Sequence, residues 1–123
     1  MSSVSRVYCI HLRNINNYFL NSGLHVVGGD DRIDEMKQKV VQGDEFKIGS
    51  LNVLCLSTPC HTTGHICFYV TDSDGTSKAV FTGDTLFLGG CGRFFEGDGR
   101  QMNEALNVKL ANLPNETVIC LDF

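Results

Sequence analysis

Thr58-Pro-Cys-His-Thr-Thr-Gly-His65 follows an apolar run that is typical of a β-strand, and a second short stretch, Phe81-Thr-Gly-Asp-Thr-Leu86, begins within another such run. The first stretch places His61 in a loop, and the second places Asp84 directly after a strand. Imidazole and carboxylate groups are both good ligands for divalent zinc or iron. Loops that follow different strands can meet at one end of a sheet, so the sequence predicts a metal site that contains His61 and Asp84.

The segments around these loops predict a domain that mixes helices and strands. Runs of β-branched and aromatic residues between turn signals predict strands at 24–27, 45–48, 51–57, 65–71, 78–82 and 118–121. The spacing of apolar residues predicts one helix from Asp30 or Asp31 to about Val40, and a second from about Arg100 to Leu113. The expected fold class is therefore α+β.

Charge and composition exclude several classes of function. The net charge is −4, and the chain has no basic block that could displace counterions from phosphate, so no nucleic-acid partner is expected. The longest uncharged apolar runs, such as 51–56, are too short to span a bilayer, so no membrane partner is expected. No signal peptide is visible, which predicts a cytoplasmic protein with reduced cysteines. The mitochondrion is the alternative, because residues 1–29 contain arginine, serine and asparagine but no acid.

The first of the two stretches also permits a different kind of metal site. Four zinc-binding side chains lie within eight residues, and a small structural zinc protein would use Cys60, His61, His65 and Cys67. The spacing does not match a zinc finger, and adjacent side chains such as those of Cys60 and His61 point in different directions. His65 begins a strand, and we interpret it as a residue that supports the metal ligands rather than as a ligand.

The ordered series of motifs resembles the metallo-β-lactamase superfamily and, within it, glyoxalase II, the hydroxyacylglutathione hydrolase family. The similarity runs from about Gly23 to Cys120, and its most specific part is the stretch Gly90-Cys-Gly-Arg-Phe-Phe-Glu-Gly97. The resemblance implies an αββα-type fold, of which residues 23–123 would form a part. We expect an incomplete sandwich of mostly antiparallel strands with flanking helices, preceded by a divergent N-terminal segment at 1–22.

The resemblance also implies an activity, namely metal-dependent hydrolysis of the thioester S-lactoylglutathione to lactate and glutathione. Two zinc ions, or iron or manganese, would provide a hydroxide as the nucleophile, so no side chain is expected to act as the catalytic group. Carried over by position, His61 matches a metal ligand and Asp84 matches the carboxylate that bridges the two metals. Arg93 and Phe95 fall where the family uses a lysine and a tyrosine to bind glutathione.

Two ligand motifs of that family are not matched. The upstream Thr-His-x-His-x-Asp-His motif corresponds here to Ser5-Arg-Val-Tyr-Cys-Ile-His11, and the Cys-Gly-His-Glu-Tyr motif corresponds to the stretch that begins at Cys120 and includes Asp122. Because two ligands cannot hold two metals, the sequence predicts a truncated central portion of the enzyme with impaired or no activity. The alternative is a non-catalytic remnant that retains weak affinity for glutathione.

Overall fold

A five-stranded mixed sheet forms the centre of the fold. The computed structural model describes residues 25–121, so the predictions for the segment 1–22, His11 and Asp122 lie outside the described residues. The strands in chain order are β1 (Val26–Gly28), β2 (Met36–Lys39), β3 (Glu45–Ile48), β4 (Leu51–Ser57), β5 (Ile66–Thr71), β6 (Lys78–Phe81) and β7 (Val118–Cys120). The central sheet has the order β3-β4-β5-β6-β7, and its pairs are antiparallel except for the parallel pair of β6 and β7. Strands β1 and β2 form a separate parallel pair.

The two faces of the central sheet bury two different apolar clusters, because side chains alternate along each strand. One face packs against the β1–β2 pair, and its buried members are Val27, Val40, Val53, Cys55, Ile66 and Phe68. The opposite face packs against the helical segment near the end of the chain through Leu56, Cys67, Val80, Leu110 and Leu113. The arrangement is a layered α+β domain of mostly antiparallel strands, as the sequence predicted.

The helix predicted from Asp30 or Asp31 to Val40 is wrong. The chain forms turns after β1 and then pairs in parallel with it as β2 (Met36–Lys39). Glu35 has a φ of 57°, a left-handed conformation that an α-helix does not accommodate. The backbone N–H of Val40 donates to the carbonyl of Gly28, which brings the Val40 side chain into the core. Parallel pairing with β1 has therefore overridden the helical spacing of the apolar residues in this segment.

The second helix lies where the sequence predicted it but has an unusual form. It begins as α1 (Gly99–Asn103), with Asp98 accepting from the backbone N–H of Gln101 while the Gln101 side chain accepts from the N–H of Asp98. This reciprocal pair satisfies two backbone donors at the helix start. The helix continues as a π-helical segment (Glu104–Leu110) and ends before the predicted limit. Neither segment, nor any other helix among the described residues, has the length and apolar content needed to cross a membrane.

Candidate metal centre

The loops that carry His61 and Asp84 leave the central sheet at the same edge. Strands β4 and β6 each pair antiparallel with β5, so they run in the same direction and their carboxyl ends lie at one edge. The ligand loop (residues 58–65) follows β4, and Asp84 follows β6. The Nε2 atom of His61 lies 3.9 Å from Oδ2 of Asp84. The structure thus brings together the two side chains that the sequence proposed as metal ligands.

The hydrogen bond of His61 with the Gly-rich loop indicates which nitrogen of the ring carries the proton. The Nδ1 atom lies 2.8 Å from the backbone carbonyl oxygen of Arg93. A carbonyl oxygen only accepts, so Nδ1 is the protonated donor, and in the neutral ring Nε2 keeps its lone pair. That lone pair lies on the side of the ring that faces Asp84, which is the tautomer that metal-binding histidines require.

The Gly-rich loop (residues 88–97) passes over both candidate ligands at very short range. A Cβ atom at Gly92 would overlap the carbonyl oxygen of Asp84 and lie 3.1 Å from Nδ1 of His61. A Cβ atom at Gly97 would lie 2.5 Å from Cα of Cys60, next to His61 in the ligand loop. Glycine at these two positions is therefore what allows the Gly-rich loop to approach closely enough to present the Arg93 carbonyl to His61.

His65 is buried behind Asp84 rather than beside His61. Its Nε2 atom accepts the backbone N–H of Asp84 at 3.1 Å, so the proton of the neutral ring is on Nδ1. Nδ1 lies 2.8 Å from the hydroxyl of Thr58 and 3.1 Å from that of Thr85, and the two hydroxyls are hydrogen-bonded to each other. Both ring nitrogens are thus committed to protein groups. This arrangement holds the backbone of Asp84 in place.

Arg93 and Phe95 form an exposed rim next to His61. The Arg93 guanidinium carbon lies 5.2 Å from the centre of the Phe95 ring, a cation–π geometry. The Phe95 ring in turn meets the His61 ring edge to face, with centroids 5.2 Å apart and an interplanar angle of 67°. A positive charge and an aromatic face therefore stand together at the side of the candidate site.

The four residues of the alternative structural zinc site do not converge. The Cys60 thiol donates to the carbonyl of Asp98 at 3.4 Å, whereas the Cys67 thiol lies 3.5 Å from the carbonyl of Thr82. Across residues 25–121, no three histidine, cysteine, aspartate or glutamate side chains form a group that could hold a metal ion. His61 and Asp84 fit a metal ion in donor type and tautomer, but they supply fewer than the three or four protein ligands that zinc sites use.

One feature near the site was missed by sequence reasoning. The guanidinium of Arg32 binds the carboxylates of Asp30 and Glu96, with Nη2–Oδ2 and Nη1–Oε1 distances of 2.7 and 2.5 Å. Glu96 belongs to the Gly-rich loop, 64 residues away in the chain. Charged residues in two separate motifs were the only signal, and a single sequence does not indicate which charges pair. We refer to these three residues as the Arg32 cluster.

The Arg32 cluster leads to a prediction on acid stability. The hydrogen bond from Arg32, followed by that from the Thr63 backbone N–H, lowers the pKa of Glu96 to about 2 from its ordinary value of 4.5. Between pH 4.5 and about 2 the unfolded chain therefore binds more protons than the folded chain. The stabilisation that the Glu96 carboxylate provides is complete above pH 4.5 and is lost as the pH falls towards 2. We expect urea unfolding midpoints to decline less steeply over this interval in Glu96→Gln than in the unaltered chain. If the midpoints of the two proteins declined equally with falling pH, the ion pair of Arg32 and Glu96 would not be the source of the acid sensitivity.

The chain is similar in sequence to several hydroxyacylglutathione hydrolases. The cytoplasmic enzyme of Arabidopsis thaliana is 48% identical over 98 residues, which cover 78% of this chain and 38% of that protein. The probable hydroxyacylglutathione hydrolase glo2 of Schizosaccharomyces pombe is 60% identical over 73 residues, which cover 59% of this chain and 28% of that protein. The mitochondrial enzyme of Saccharomyces cerevisiae is 41% identical over 99 residues, which cover 79% and 35%. The chain thus spans between 28% and 38% of the length of these relatives. No protein-family model matches it.

Solved structures share the fold of the described residues. ETHE1 from Myxococcus xanthus superposes with a TM-score of 0.70 at 33% identity, covering 84% of this chain and 45% of that chain. A metallo-β-lactamase from Staphylococcus aureus superposes with a TM-score of 0.67 at 26% identity, and the match covers 83% of this chain and 33% of that chain. TTHA1623, solved in a di-iron-bound form, superposes with a TM-score of 0.53 at 32% identity, and the match covers 69% of this chain and 39% of that chain.

The described residues therefore form part of a metallo-β-lactamase fold, the fold of a metal-binding superfamily. Within this class the chain is a relative of the hydroxyacylglutathione hydrolases, the glyoxalase II family. Both results confirm the resemblance drawn from the ligand loop, the strand that leads to Asp84 and the Gly-rich loop.

Proposed function

We propose that this chain forms the part of a glyoxalase II-type thioester hydrolase that would supply one imidazole ligand and one carboxylate ligand to a two-metal site. The observation that carries the proposal is the pairing of His61 and Asp84, with Nε2 and Oδ2 3.9 Å apart. The Arg93 carbonyl holds the His61 ring in the tautomer whose lone pair lies on that side. The names of the curated relatives support the same activity.

The metal that we propose is zinc, with iron or manganese as the alternatives, and the di-iron form of TTHA1623 supports the iron alternative. A bound metal would acidify water enough to provide a nucleophile near neutral pH. The residues of this chain would orient that site: His61 and Asp84 face each other, and His65 holds the Asp84 backbone through its N–H.

The substrate that we propose is S-lactoylglutathione, cleaved to lactate and glutathione. A thioester suits a site without a strong general acid, because its thiolate leaving group has a pKa of roughly 8.5. The exposed guanidinium of Arg93 can pair with a carboxylate of glutathione, and the Phe95 ring beneath it holds that guanidinium in place. Phe95 offers an aromatic face but has no hydroxyl group, so the contact is apolar. We propose the cytoplasm as the site of action, with the mitochondrion as the alternative.

Loss of either candidate ligand is expected to abolish detectable zinc binding by the purified chain. His61→Ala and Asp84→Ala each remove one of two ligands, and the effect should exceed the roughly 10- to 100-fold loss that follows removal of a supporting hydrogen bond. Zinc titration calorimetry measures binding, and hydrolysis of S-lactoylglutathione measures turnover. His25→Ala is the matched control, because His25 is exposed and hydrogen-bonds to Gln38 at a distance from the site.

Equal zinc affinity in His61→Ala, Asp84→Ala and His25→Ala would overturn the proposed metal site. Glutathione titration of the same proteins separates the remaining alternative. A chain that binds glutathione through Arg93, but binds no zinc and does not hydrolyse the thioester, would be the non-catalytic remnant. Loss of that binding in Arg93→Ala would then assign it to the rim formed by Arg93 and Phe95.

A further inference from the structure

The Arg32 side chain is committed almost entirely to two carboxylates. Its Nε and Nη2 atoms donate to the two oxygens of Asp30 at 2.9 and 2.7 Å, and its Nη1 and Nη2 atoms donate to the two oxygens of Glu96 at 2.5 and 2.8 Å. Four of the five N–H groups of the guanidinium are therefore used in two bidentate pairs. Such a group acts as a connector between carboxylates rather than as an anchor for a substrate.

The two carboxylates join segments that are far apart in sequence. Asp30 follows β1, and its backbone lies against the ligand loop so closely that a Cβ atom at Gly64 would lie 2.8 Å from Cα of Asp30. Glu96 is in the Gly-rich loop, and its Oε2 atom accepts the backbone N–H of Thr63 in the ligand loop at 2.7 Å. The Arg32 cluster therefore holds three segments together at one point.

His61 lies inside the region that these contacts define. The backbone N–H of Glu96 donates to the carbonyl of Cys60 at 3.1 Å, so the Gly-rich loop is bound to the ligand loop on both sides of His61, at Cys60 and at Thr63. The acceptor of the His61 Nδ1 proton, the carbonyl of Arg93, is three residues before Glu96 in the same loop. The position of that carbonyl relative to His61 consequently depends on how the Gly-rich loop is held.

Building on the proposed function, we propose that Arg32 is a positioning residue for the metal site. By joining Asp30 and Glu96 it holds the Gly-rich loop against the ligand loop, and it thereby keeps His61 protonated on Nδ1 with Nε2 directed towards Asp84. Within residues 25–121, the side-chain hydrogen bonds of Arg32 go to Asp30 and Glu96 rather than to a candidate ligand. Its effect passes through Glu96 and the Arg93 carbonyl.

The test is the tautomer of His61, read from the nitrogen-15 chemical shifts of the ring in the metal-free chain. The two neutral tautomers differ in which ring nitrogen carries the proton, and the shifts of the two nitrogens distinguish them. We expect Nδ1 protonation in the unaltered chain. In Arg32→Gln and Glu96→Gln we expect the tautomer ratio to shift about tenfold towards Nε2 protonation, the change that loss of one ordinary hydrogen bond produces.

Two controls isolate the Arg32 cluster. His65 reports from the same spectrum, and its tautomer should stay unchanged because its partners, Asp84, Thr58 and Thr85, lie outside the cluster. Lys78→Gln removes a different ion pair, that with Glu116 at 2.8 Å, and should leave His61 unchanged. In Arg32→Lys the shift of the His61 tautomer ratio should be smaller than in Arg32→Gln but should not vanish, because a lysine cannot form two bidentate pairs.

The outcomes separate this inference from the proposed function. An unchanged His61 tautomer in a folded Glu96→Gln or Arg32→Gln variant, or Nε2 protonation in the unaltered chain, would overturn the role of Arg32. If Arg32→Gln does not fold, the milder Glu96→Gln variant decides. Equal zinc affinity in His61→Ala, Asp84→Ala and His25→Ala would refute the proposed function but would not affect the tautomer measurement. If zinc does bind, Glu96→Gln should weaken it about 10- to 100-fold, as expected for a supporting interaction.

Discussion

Gly92→Ala is expected to lower zinc affinity more than about tenfold and to destabilise the chain by about 1–3 kcal/mol. The new methyl group would overlap the backbone carbonyl oxygen of Asp84 and lie 3.0 Å from the carbon of that carbonyl. Neither atom is the end of a flexible side chain, so the Gly-rich loop must move away from the sheet edge. The movement would withdraw the Arg93 carbonyl from Nδ1 of His61 and release the ring from its tautomer. Urea unfolding measures the first effect, and zinc titration measures the second.

Gly90→Ala is the matched control for this substitution. Gly90 belongs to the same loop, but a Cβ atom built there has open space around it, and its φ angle is not in the left-handed region. The control should therefore retain both stability and zinc affinity. If Gly92→Ala and Gly90→Ala behaved alike in both measurements, the close approach of the Gly-rich loop would not be what orients His61.

Elements whose signals are local were predicted well from the sequence. Strands β3 and β4 have the predicted bounds because Gly49 and Ser50 form a tight turn between two β-type runs, and Gly49 adopts a φ of 59° that glycine accommodates readily. Strand β5 begins one residue later than predicted, and β6 ends one residue earlier. The ligand loop and Asp84 were placed by motif, and the antiparallel pairing of β4, β5 and β6 then brings them to one edge.

Features that depend on contacts between separate segments could not be read from the sequence. The segment at Met36–Lys39 has helical spacing, and only its pairing with β1 makes it a strand. Arg32 and Glu96 are 64 residues apart, and no periodicity links them. The tautomer of His61 depends on the backbone carbonyl of Arg93. Every residue has such a carbonyl, so the residue type at position 93 gives no sign of this interaction. The donor types of the candidate site were thus predictable, whereas the interactions that orient these donors required the tertiary structure.

Phe68→Ala is expected to destabilise the chain by about 3–5 kcal/mol, a large fraction of the total stability of an ordinary domain. Phe68 is 4% exposed, lies in the cluster between the central sheet and the β1–β2 pair, and meets the Phe46 ring edge to face with centroids 6.3 Å apart. The substitution removes the buried ring and leaves a cavity among strands that cannot close over it. Urea denaturation followed by circular dichroism measures the change in the free energy of unfolding.

Phe81 provides an internal comparison for this prediction because it is the register partner of Phe68 on β6 and points to the same face of the sheet. It is 45% exposed and does not belong to the cluster that buries Phe68. Phe81→Ala should therefore cost about 1 kcal/mol or less, mainly through the lost cross-strand contact. Equal losses in the two variants would mean that Phe81 is covered as fully as Phe68 in solution.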